Sequence, residues 1–259
     1  CNIMLISEAF ENYREIEVIS RGLSPKTLES YIYAEKLVVE YFSDTDIINI
    51  TTVDVSKFYQ YLCNHQRPDT ARGNIICLRS VLKRCVRKGW LNLDVEDIKI
   101  PKREKRIITY LTESEVDRFI FVVGKQCRGY SSLNRLRNIA IVSLLYDSGI
   151  RISELCSLNR NSIKDRQFIV IGKSKNPRIC FITEKAEQRI KDYLDLRDDN
   201  DRALFIANQT SKRITSDNVR KVFQNVCDRS DFINIHPHTI RHSFATRLLD
   251  KEVDIRYIA

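Results

Sequence analysis

Residues 235–249 read "IHPHTIRHSFATRLL" and hold three of the four histidines in the 259-residue chain. Pro237 suits the first position of a helix, where its missing N–H is not needed and its fixed φ is already helical. The stretch therefore predicts a helix from Pro237, with His238 and Arg241 three residues apart on one face of its first turn. Ile240, Phe244 and Leu248 form the core face. A guanidinium is misplaced at the positive end of a helix dipole unless an anion such as phosphate sits there. A solvent-facing His and Arg on a capped helix fits this stretch alone equally well.

Two upstream stretches carry related questions. In "SGIRISELCSL" (148–158) Gly149 ends a helix predicted over about 135–147, and a short helix begins near Ile152. Arg151 lies at that junction, with Glu154 three residues on and able to orient it. In "QFIVIGKSKNPRICFIT" (167–183) two alternating runs flank a polar tip, which predicts a β-hairpin with Lys173 at its turn. Taken singly, Arg151 fits a surface arginine paired to Glu154, and Lys173 a solvated loop lysine. Further helices are predicted at 113–124, 184–198 and 215–229, the first opened by Thr112 and Glu115 at capping-box spacing.

The N-terminal part reads as four helices. One covers 4–20 and is ended by "RGLSP"; a second opens at the Ser24 cap and Pro25. A third runs from about Asp54 to Cys63, and a fourth from about Thr70 to Lys88, stopped by Gly89. The chain carries net charge +9, unevenly spread. Residues 67–106 hold 12 Lys/Arg against 5 Asp/Glu, whereas residues 1–66 hold 5 against 10. Localised basic charge favours a polyanion. The candidate nucleic-acid contacts are Arg72, Arg79, Lys83, Arg84 and Arg87 on the fourth helix, and Lys102, Arg103, Lys105 and Arg106 in a proline-containing stretch. The organisation expected is a helical domain over 1–100, a basic linker over 101–111 and a second domain over 112–259. The class is mainly α with a small β-sheet (α+β).

Composition narrows the setting. Seven glycines, five prolines and 43% hydrophobic residues describe an ordered globular chain. Eight cysteines are scattered with no C-x-x-C, which fits buried thiols of a reducing compartment and not disulfides or structural zinc. The longest apolar run, "IAIVSLLY", is too short to span a bilayer, and a cytoplasmic location is expected.

In order, the arginine box, the lysine hairpin and the His-x-x-Arg helix resemble the catalytic domain of the tyrosine recombinase (phage integrase) family, including the Xer-like recombinases. "RGLSPKTLESYIYAEKLVVEYF" and the fourth helix are similar to that family's SAM-like core-binding domain. The resemblance implies cutting and rejoining of duplex DNA by transesterification through a 3′-phosphotyrosyl intermediate. It implies that Arg151 and Arg241 clamp the scissile phosphate, Lys173 protonates the leaving 5′-oxygen and His238 assists, with Glu154 and His242 in support. It implies no metal, no nucleotide cofactor and a homo-oligomer, a tetramer on paired sites, with no membrane partner. A type IB topoisomerase-like enzyme and a truncated, catalytically dead DNA-binding relative share these features. The chain as given stops 18 residues after Arg241. The family's nucleophilic tyrosine is expected further on, and Tyr257 reads as a packing residue.

Overall fold

The computed structural model describes residues 3–100, 102, 109–125, 131–172, 176–208 and 210–252. The chain divides into two compact units, Cys1–Lys105 and Arg106–Ala259, and the division falls inside the basic 101–111 stretch.

In the first unit α1 (Ile6–Tyr13) runs into a π-helical segment, Arg14–Ile19, where the sequence had predicted one continuous helix. That segment carries Glu17 into the interior beside Val18. α2 (Pro25–Phe42) starts as expected, with the Ser24 hydroxyl accepting the Thr27 N–H at 3.3 Å. Thr51 and Asp54 cap α3 (Thr52–His65) reciprocally, and Pro68 opens α4 (Pro68–Arg87). Phe10, Val38, Phe58, Leu62, Leu78 and Leu82 meet in one core, so each helix buries a single stripe.

The second unit is built around α6 (Ser132–Ser148), whose residues Ala140–Tyr146 are all buried. α5 (Glu113–Lys125), α8 (Glu184–Asp195) and α10 (Pro237–Asp250) pack on it. Phe119 of α5 meets Phe223 of α9 (Ser216–Cys227) with ring centres 5.4 Å apart, which ties those helices together. The short α7 (Ile152–Ser157) precedes an antiparallel hairpin, β1 (Gln167–Ile171) and β2 (Pro177–Phe181), in register from Gln167↔Phe181 to Ile171↔Pro177. Phe168, Val170 and Cys180 face the core; Ile169, Ile171, Ile179 and Phe181 face out. The described residues are thus mostly helical with one small sheet. The six described cysteines are free thiols. Among the described residues no helix is long and apolar enough to cross a membrane.

One junction positions the rest. Gly149 caps α6 in the left-handed region at φ +59°, its N–H bonded to the Leu145 carbonyl at 3.0 Å. The ring of Phe244 from α10 packs so closely that a Cβ at Gly149 would clash with three of its carbons. Gly149→Ala therefore combines a left-handed penalty with overpacking, and should lower stability by about 2 kcal/mol or more. Gly73→Ala in α4, where a Cβ meets nothing within 4 Å, should instead stabilise its unit slightly. Urea melts check both; an unchanged midpoint for Gly149→Ala would contradict the Phe244 contact.

Candidate active site

Arg151 occupies the N-cap position of α7, with φ −74° and ψ 152°. Its backbone N–H donates to Glu154 Oε2 at 2.7 Å and its guanidinium to Oε1 at 3.0 Å. A second arginine reaches the same carboxylate from β2. Arg178 donates Nη1 to Oε1 at 3.0 Å and Nη2 to Oε2 at 2.6 Å, a two-pronged pairing. Burial alone would raise the Glu154 carboxyl, but hydrogen bonds from Arg178 and from both donors of Arg151 outweigh it and hold the group below its ordinary value. The Arg151 side chain keeps 38% of its surface exposed.

Arg241, in the first turn of α10, donates Nη1 to the Gly149 carbonyl. This bond fixes the start of α10 on the end of α6, two residues before Arg151. Among the described residues the other guanidinium N–H groups of Arg241 have no hydrogen-bond partner. Burial first, and then the positive neighbours Arg151 and Arg178, disfavour its cation and lower its pKa. An arginine stays protonated regardless, so the arrangement is one that an anion would relieve.

His238 stands beside this cluster with its residue surface largely open to solvent. Partial burial first, then the neighbours His242, Arg241, Arg220 and Arg151, push its pKa below the ordinary value. The imidazole is therefore neutral at pH 7, with one ring nitrogen a donor and the other an acceptor. Arg151, Arg241, His238 and Glu154 are thus gathered in one place, with His242 at its edge.

Other predicted residues fare differently. Lys173, Arg103, Lys105, Arg106 and Tyr257 lie outside the described residues. Arg84 is not on a solvent face: it is buried, bonded to Glu17 at 2.8 Å and Asn12 at 3.1 Å, because α4 turns it toward α1 and the π segment. Arg79 and Lys83 are accessible but share Glu96 at 2.5 and 2.9 Å, so the stretch is less unpaired than its composition implies. Arg72 is half-buried, while Arg87 and Lys102 are exposed. Sequence reasoning missed Arg178 and Arg220. A signal for Arg178 existed, since strand alternation puts it on the inward face with Cys180, where a charge needs a partner.

The lowered His238 pKa has a definite sign. Between the folded and unfolded pKa values the unfolded chain binds more protons, so stability rises with pH there. Stability is undiminished above the unfolded value of about 6.5 and falls as pH drops through it. In thermal melts from pH 8 to pH 5, His238→Asn should remove part of that decline. An identical pH profile in the variant would contradict the assignment.

The family model described as the phage integrase family matches residues 109–259. A tyrosine recombinase XerA from Thermococcus kodakarensis is 28% identical over 98% of this chain and 84% of its own length. A tyrosine recombinase XerD from Oceanobacillus iheyensis is 30% identical, covering 98% and 89%. Among solved structures, the Tn1549 transposon integrase in complex with a circular intermediate DNA superposes with TM-score 0.81 at 15% identity, covering 98% of this chain and 91% of that one. A lambda integrase dimer bound to a COC′ core site gives 0.78 at 17% identity, covering 98% and 93%. These two show the shared fold. With the family pattern spanning the whole arginine–histidine cluster and a 30% identical relative matched along nearly all its length, the chain belongs to the phage integrase family, that of the tyrosine recombinases.

Proposed function

We propose that this site-specific recombinase acts on duplex DNA, with Arg151 and Arg241 gripping the scissile phosphate. The observation that carries the reading is Arg241, half-buried beside two other arginines and bonded to the protein only through the Gly149 carbonyl among the described residues. A phosphodiester supplies the missing anion.

The chemistry follows from the charges. A tyrosine oxygen, its phenolic proton released to solvent, attacks phosphorus, forming the 3′-phosphotyrosyl bond and breaking the bond to the 5′-oxygen. Negative charge gathers on the non-bridging oxygens, where guanidinium N–H pairs fit and act without reorganising. Neutral His238 donates its ring N–H to one of those oxygens. Lys173 protonates the departing 5′-oxygen. Return attack by a 5′-hydroxyl reverses each step, so bond energy is conserved without ATP and no metal is required. The first unit serves as the SAM-like core-binding domain, with Arg87 and Lys102 available to the DNA backbone. Strand exchange between two sites calls for a homo-oligomer, four copies on paired sites.

The test is single-turnover cleavage of a nicked duplex bearing the recombination site, by the native gene product. Arg151→Ala and Arg241→Ala should each slow cleavage on the order of 100-fold or more, the usual size of a lost oxyanion partner. Lys173→Ala should be rescued by a substrate whose 5′ leaving group is a thiolate, which departs without a proton. Wild-type rates in either arginine variant would overturn the clamp. A thiolate substrate cleaved no faster by the lysine variant would remove Lys173 as the acid.

A further inference from the structure

Glu154 poses a problem for the phosphate site. A carboxylate with 7% of its side chain exposed, bonded to Arg151 twice, cancels one positive charge where a phosphate is to be held. Arg151, Arg241 and Glu154 together sum to a single positive charge. That matches a ground-state phosphodiester, which carries one negative charge. With Lys173 assigned to the leaving 5′-oxygen, it falls short of the pentacoordinate transition state, whose non-bridging oxygens approach two.

Arg178 supplies the difference. Both of its terminal nitrogens are committed to the two oxygens of Glu154, so the residue has no fork left to offer a substrate. Its side chain is 26% exposed, on the inward face of β2. It comes from the strand immediately after the hairpin tip, 24 residues from Glu154, so this is no consequence of local spacing. We infer that Arg178 is a positioning and charge-balancing residue: it neutralises Glu154, leaving Arg151 and Arg241 with two uncancelled charges for a phosphoryl group turning from monoanion to dianion. The inference rests on the reading that Arg151 and Arg241 receive a phosphate. Two features separate the parts of the role. The fork holds Glu154 still, and through it Arg151; the charge sets what the cluster prefers to bind.

Inorganic tungstate, a tetrahedral dianion, tests this on the chain itself with no knowledge of the DNA site. The probe is titrated into protein labelled with ¹⁵N-histidine, and affinity is read from the His238 ring signals, with a thermal melt of each variant as the check on folding. Arg178→Met should weaken tungstate on the order of tenfold or more, as expected for a unit charge removed at a partly exposed site. Arg178→Lys, which keeps the charge without the fork, should recover most of that. The double variant Glu154→Gln/Arg178→Met, which restores the net charge while removing the ion pair, should recover it too. A purely structural prop predicts no recovery in the double variant, and that result overturns the charge-balancing role. Unchanged affinity in a folded Arg178→Met, with Arg241→Ala weakened, overturns this inference alone. If Arg241→Ala binds tungstate as tightly as the unaltered chain, the phosphate reading fails and carries this inference with it. Should the methionine variant not fold, Arg178→Gln, which can still bond Glu154, is read in the same way.

Discussion

A buried carboxylate must be met by donors or it unfolds its surroundings, and Glu154 is met by four: the Arg151 N–H, the Arg151 guanidinium and both prongs of Arg178. Satisfying it fixes the start of α7, the position of β2 against α7, and the direction in which Arg151 leaves the backbone. The same turn takes the third element. The Gly149 carbonyl, two residues before Arg151, accepts Arg241 from α10, and the Phe244 ring closes over the glycine. Both arginines are therefore referenced to one short stretch of backbone, 149–151. A change at that turn displaces both at once.

The arrangement works against the stability of the empty protein. Two arginines bond one acid and a third, Arg241, stands near them, disfavoured as a cation by burial and by its neighbours. His238, partly desolvated and facing the same cations, gives up its proton more readily. Sites that must receive charge are commonly strained until it arrives. On the proposed reading a phosphate completes the cluster, and the repulsion among the cations becomes part of what holds the substrate.

Much of this was legible in the sequence because its signals were local. The Ser24–Pro25 start, the Thr112–Glu115 box, the Gly149 stop and the Pro237 start are each specified within four residues, and each stands as expected, Thr112 accepting the Glu115 N–H at 3.4 Å. Arg151, His238 and Arg241 drew notice from the same local cues, were joined into one site by the family resemblance, and lie together. What escaped was pairing across distance. Arg84 looks like a surface base until Glu17, 67 residues away, is brought beside it. Glu96 lies outside α4 yet takes up Arg79 and Lys83. Arg178 reads in the sequence only as part of a hairpin strand, because nothing near it shows that Glu154, 24 residues away, is its partner. The π-helical stretch after α1 likewise left no mark in the apolar spacing.

Two guanidinium groups are proposed to act on the charge of one phosphate, and a charge can be removed from the substrate instead of the protein. A duplex whose scissile phosphate is a neutral methylphosphonate offers the same shape with no anion to clamp. Cleavage rates of the unaltered enzyme and of Arg241→Ala should be compared on the phosphate and methylphosphonate duplexes. If Arg241 neutralises charge, its loss costs far more on the phosphate than on the methylphosphonate, where the two enzymes should approach one another. An equal loss on both substrates would mean that Arg241 shapes the site without meeting the phosphate, and would contradict the account.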